Sequence, residues 1–176
     1  ACDSVLLSTN SITNGSYIWS NISNPITPSI GDTYQGGIVF YLDGNGEGLI
    51  AAPSDQSNGG PATNFWGCYG TSISGADGTA IGTGFQNTID IEAGCTTPGT
   101  AADLCANLTL GGYNDWFLPS KDELNEMFTN TGPGNPYGLG NIGGYQSDTY
   151  YSSTEYNSNN VWAQEFDFGG YQHGFN

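Results

Sequence analysis

The stretch Gly111-Gly112-Tyr113-Asn114-Asp115-Trp116-Phe117-Leu118-Pro119-Ser120-Lys121-Asp122-Glu123-Leu124 carries a complete helix start. Ser120 is placed to cap, Glu123 follows three residues on as its capping-box partner, and Pro119 blocks extension backwards. The helix continues through KDELNEMF, with Leu124, Met127 and Phe128 on one face. After a glycine-rich gap, YYSSTEYNSNNVWAQEF (150–166) reads as strand, Asn/Ser-rich tip and strand. Trp162, Phe166 and Phe168 share one face by the period of two. Upstream, IGDTYQGGIVFYLDGNGEGLIAAPSDQ (30–56) holds two strands, GGIVFYL and GLIAA, joined by a Gly/Asn hairpin turn. Between these segments FQNTIDIEAG, with Phe85, Ile89 and Ala93 at four-residue steps, predicts a weak helix. Thr100 is placed to cap a second one, AADLCANL. The expected class is therefore α+β: antiparallel sheets, two or three short helices and long Gly-rich loops.

These motifs together resemble the Lcl C-terminal domain family, found at the ends of collagen-like bacterial adhesins and in secreted bacterial proteins. The resemblance covers roughly residues 30 to 168. It implies a C-type-lectin-like fold with twisted antiparallel sheets and an extracellular, adhesive role, but names no ligand. One departure stands out: family members usually finish with a further basic, aromatic strand, and here the sequence stops at YQHGFN. The expectation is an exposed, apolar-backed sheet edge open to another chain.

Composition narrows the function. One Lys, no Arg and 17 acidic residues give a net charge of −16. Nucleic acid and anionic membrane surfaces are excluded as partners, because both need Lys or Arg to displace counterions. Sulfated polysaccharides, associated with the family, are disfavoured for the same reason. Charged residues are only 10% of the chain, so Asn, Ser, Thr and Gly must dominate the surface. No run approaches the roughly 20 apolar residues of a membrane-spanning helix, so no membrane insertion is expected. The start at Ala1 fits a secreted chain after leader removal, and Ala1 ahead of Cys2 disfavours a lipid anchor. Extracellular or cell-surface localisation follows.

Cys2, Cys68, Cys95 and Cys105 lack the close ligand pairs of a zinc site, which favours disulfides. Cys68 and Cys95 lie in Gly-rich loop contexts and are the favoured pair, leaving Cys2 and Cys105 to pair or stay free. Residues 1–29 read as a separate β-prone extension, a donor strand or a stalk, ahead of a domain spanning 30–176. Leu6, Leu7, Ile18 and Trp19 are too apolar for a solvated linker and are the candidate subunit contacts.

Two constellations are candidate sites. DGNGEG alternates Asp43, Asn45 and Glu47 like the first half of a calcium loop, with Asp55 as a further oxygen ligand. The twelfth-position Glu of an EF-hand is absent, where Ser54 stands, so a plain hairpin turn is the competing reading. No cofactor is required on this reading; calcium is the one candidate. At the second tip, Tyr156 and Trp162 offer flat faces to sugar C–H groups, while Glu155, Asn157, Asn159 and Asn160 offer hydroxyl partners; a buried Trp162 beside a simple turn is the alternative. No catalytic residue emerges: there is one histidine, His173, and no nucleophile elbow, zinc motif or phosphate loop. The expectation is a non-enzymatic subunit of an extracellular adhesive assembly or surface filament, a homo-polymer joined by N-terminal strand exchange. The alternative is a discrete secreted adhesin domain with a glycan partner.

Overall fold

The computed structural model describes the backbone of Val5–Leu7 and residues 28–56, 65–136, 138–167 and 169–175. Its elements are β1 (Val5–Leu7), β2 (Thr33–Tyr34), β3 (Gly37–Leu42), β4 (Gly48–Ala51), α1 (Gly84–Gly94), α2 (Ala101–Ala106), β5 (Trp116–Phe117), α3 (Lys121–Asn130), β6 (Thr149–Asn157), β7 (Asn160–Glu165) and β8 (Gln172–Phe175). They form a five-stranded sheet, ordered β2-β3-β4-β1-β5, and a three-stranded sheet, ordered β6-β7-β8. Every strand pairing is antiparallel. The class is α+β.

The first hairpin forms because continuous apolar runs, rich in β-branched and aromatic residues, flank the Gly/Asn turn and send side chains into a core on each face. Phe40, Leu49, Ala51 and Phe117 join Leu124 and Met127 of α3 and Tyr145, Tyr150 and Phe166 in one core. Val39, Ile50, Ala52 and Trp116 form another, covered by Leu108, Leu110 and Tyr113. The larger sheet is thus buried on both faces. Each fully buried Phe or Leu contributes about 1.5–3 kcal/mol.

The capping box at α3 is complete: Ser120 Oγ accepts from the Glu123 N–H at 3.3 Å, and the Glu123 carboxylate accepts from the Ser120 N–H at 2.6 Å. Thr100 caps α2 by accepting from the Asp103 N–H at 3.2 Å. Along α3, Lys121, Asn125 and Phe128 meet the strand stripe Trp162, Gln164 and Phe166. Lys121 Nζ lies 5.3 Å from the Trp162 ring, Gln164 donates to Asn125 at 3.1 Å, and Phe128 meets Phe166 edge-on at 5.4 Å. The period of two therefore places Trp162 and Phe166 together as expected; Phe168 lies outside the described residues.

Three expectations change. The C-terminal segment is no missing strand: Gln172–Phe175 pairs with β7, from Val161↔Phe175 to Gln164↔Gln172. The turn Gly169–Gly170 lets the chain reverse so soon that the short tail suffices.

Part of the β-prone extension joins the domain: Val5–Leu7, as β1, pairs with β4 on one side and β5 on the other, inside the domain's own sheet, while residues 1–4 and 8–27 lie outside the described residues.

Helix α1 forms, but Phe85 and Ile89 are not its inner face; each is 44% exposed. Gly84, Asn87, Thr88 and Ile91 are buried instead. A Cβ on Gly84 would come within 2.8 Å of the Ser120 nitrogen and collide with the Glu123 carboxylate. That close approach, with polar contacts from Asn87 and Thr88, outweighs the apolar stripe in setting the helix's rotation.

Candidate ligand-binding groove

The segment Phe65-Trp66-Gly67-Cys68-Tyr69 runs along one side of the smaller sheet and is fastened at several points. The Trp66 indole N–H donates to the Ser152 carbonyl at 2.7 Å. The Gly70 N–H donates to the Ser158 carbonyl at 2.8 Å, tying the segment to the β6–β7 tip, and the Ala101 N–H donates to the Phe65 carbonyl at 2.9 Å. Cys68 is bonded to Cys95 at the end of α1, with a Cα–Cα distance of 5.4 Å. The expected pair is therefore the one formed. Cys105 is buried in the α1–α2 core, and Cys2 lies outside the described residues.

Between this segment and the sheet lies a groove of about 190 Å³. Tyr151 and Phe175 form a contacting aromatic pair on β6 and β8, rings 5.6 Å apart. Both line the groove, with Phe65, Trp66 and Tyr69 opposite and Asn159 and Asn160 at the hairpin tip. Burial, reinforced by Asp148, raises the Tyr151 hydroxyl above the usual phenol range.

The six residues expected to form a glycan platform are divided by the sheet. Asn159 and Asn160 line the groove. Tyr156 and Trp162 do not; they pack edge-to-face at 4.9 Å on the side facing α3, where Lys121 also sits over Trp162. Glu155 is a clamp: its carboxylate accepts from the Ser72 hydroxyl at 2.7 Å and the Ile73 N–H at 2.5 Å. Asn157 accepts from the Asn159 N–H at 2.9 Å and shapes the turn. The sequence signal that points to the real groove is three aromatics in five residues around a disulfide cysteine.

The calcium set does not assemble. Asp43 Oδ1 accepts from the N–H groups of Asn45 and Glu47 at 2.8 and 2.9 Å, and Oδ2 from the Asn45 amide at 3.0 Å. These bonds, the Asn45 N–H foremost, hold the Asp43 carboxyl below the usual range. Asp55 accepts from the Tyr150 hydroxyl at 2.9 Å. Asp43 makes three bonds within its own turn and Asp55 accepts from Tyr150, so the alternation Asp43-Asn45-Glu47 is accounted for by the hairpin turn. Among the described residues no group of three His, Cys, Asp or Glu side chains is placed to hold a metal.

Leu6 and Leu7 pair within their own sheet, Leu6 opposite Ile50 and Trp116, and Leu7 opposite Leu49. Ile18 and Trp19 lie outside the described residues. A second hollow, of about 280 Å³, lies beside edge strand β5, with Phe85, Ile89, Glu92 and Asp115 among its walls. Burial raises Glu92 above the usual carboxylate range, and the neighbouring Asp103 carboxylate adds to the effect; burial likewise raises Asp115. Among the described residues no helix is long and apolar enough to cross a membrane. Comparisons with protein-family models, curated proteins and solved structures find no match. The class rests on the fold alone: an α+β protein of two antiparallel sheets with a disulfide, a bond compatible with an oxidising, extracellular setting.

Proposed function

We propose that this chain is a non-enzymatic subunit of an extracellular adhesive assembly, with a C-type-lectin-like domain, whose copies are joined by exchange of the N-terminal strand. The observation that carries the reading is the position of β1, hydrogen-bonded between β4 and the edge strand β5 inside the sheet. A strand so placed satisfies backbone groups on both neighbours, and the same slot accepts an identical strand from a second copy at no cost in contacts. Residues 8–32 separate β1 from β2. Ser29 to Asp32 are hydrogen-bonded into the domain, so the reach comes from the twenty residues 8–27, which fully extended at about 3.3 Å per residue span at most roughly 65 Å.

The test is a lock. Leu6 and Ile50 are register partners, so L6C/I50C, oxidised as an isolated monomer, fixes β1 in its own sheet. Native mass spectrometry and electron microscopy should show wild-type chains assembling with concentration while the locked chain stays monomeric. Reduction of the engineered bond alone, under conditions that spare Cys68–Cys95, should restore assembly. A locked chain that assembles like wild type overturns the reading. A discrete lectin-like adhesin is the second reading, favoured by the aromatic groove.

A further inference from the structure

We infer that the groove between Phe65–Tyr69 and the β6–β7–β8 sheet binds an uncharged saccharide, one ring at a time, along a longer neutral glycan. This deepens the lectin-like reading and does not depend on strand exchange.

The first support is exposure against rigidity. Phe65 and Tyr69 are 73% and 70% exposed, yet their segment is held by the disulfide and by the hydrogen bonds of Trp66, Gly70 and Ala101. A loop free to move would fold such rings onto the protein; here the frame holds them outward, and the ordering cost of binding is already met.

The second is charge. In a chain with 17 acidic residues, no charged side chain among the described residues lines this groove. A cationic ligand would be served by carboxylates, and an anionic one is repelled by the net charge of −16. A neutral ligand remains. Its recognition chemistry is set by flat aromatic faces, which suit the axial C–H groups of a pyranose, and by the rim amides of Asn159 and Asn160, which donate to and accept from hydroxyls.

The third is size. The hollow is smaller than pockets that engulf a drug-sized molecule, and both it and the rings of Phe65 and Tyr69 open to solvent. That shape suits a ring resting on a platform while the rest of the chain stays outside.

The experiment uses the full chain in its oxidised, locked monomeric form, so the outcome is independent of assembly. Neutral hexasaccharides of glucose, mannose, xylose and N-acetylglucosamine, together with a sulfated heparin hexasaccharide, are titrated by calorimetry and by tryptophan fluorescence. At least one neutral glycan should bind, with a change in tryptophan emission that is lost in Trp66→Phe, and the heparin fragment should not. Tyr69→Ala and Phe65→Ala should each weaken binding about tenfold or more, with circular dichroism unchanged because both rings are exposed. Tyr156→Ala, on the opposite side of the sheet, should bind like wild type. Binding of none of the neutral glycans, binding of heparin alone, or equal loss in Tyr156→Ala each overturns the assignment.

Discussion

At the residue scale, Glu123 is the pivot of the molecule. It is fully buried, yet among the described residues it has no cationic partner. Its carboxylate accepts from the N–H groups of Ser120 at 2.6 Å and Gly82 at 2.7 Å. Burial raises its pKa, against the lowering effect of those bonds. A raised acid contributes stability below its unfolded pKa, and that contribution is lost as pH rises through the folded value. Each N–H takes its own carboxylate oxygen, so the site requires two acceptors. Glu123→Gln leaves one of them facing an amide NH₂ and should cost about 1–3 kcal/mol in urea denaturation at pH 7; a variant as stable as wild type would remove Glu123 from this role. Ser120 and Glu123 were legible in the sequence because a capping box is local. The contact of Gly84 with Ser120 was not, since it joins residues 36 positions apart (120 − 84) through space alone.

Elements show the same division between local and distant causes. Both hairpin strands, α2, α3 and the β6–β7 pair were readable from periodicity and turn residues. The rotation of α1 was not, because Asn87 earns its burial by bonding Gly78 and Ser153 rather than by being apolar. Nor was the groove, whose walls come from residues 65–69, 151, 158–161 and 175. Between α1 and α2, Glu92 and Asp103 form the clearest electrostatic conflict. Burial and the Asp103 charge both raise Glu92, so its stabilising contribution is present only at acid pH and is lost as pH rises through its folded pKa. Glu92→Gln should accordingly raise the melting temperature at pH 7, and the gain should shrink as pH falls below the folded pKa. An equal gain at all pH values would show that repulsion is not its cause.

For the whole molecule, neutral polar networks replace ion pairs. Among the described residues the ion pairs are Lys121–Asp122 at 3.3 Å and, when protonated, His173–Glu165 at 3.4 Å. Buried Asn87, Thr88, Ser153 and Thr154 instead lace the loop before α1 to β6 and α3, with Thr154 accepting from the Lys121 N–H at 2.9 Å and donating to the Gly78 carbonyl at 2.7 Å. Self-repulsion of the surface carboxylates is left to salt, whose screening length is about 8 Å at physiological strength. The melting temperature should rise from low to physiological salt and stay unchanged when a chelator is added at constant ionic strength; a fall with chelator would reinstate a bound cation. Replacing both cysteines of Cys68–Cys95, which spans 27 residues, with alanine should cost about 3.5 kcal/mol in urea denaturation.

The position of β1 also sets an order of events during synthesis. Val5–Leu7 is made before the other described strands, but its two neighbours are separated by more than sixty residues, β4 ending at Ala51 and β5 beginning at Trp116. That strand therefore waits for the later of its neighbours before it can be seated between both. Throughout that interval the nascent chain carries a half-built sheet and an unplaced strand, the kind of non-local pairing that slows folding.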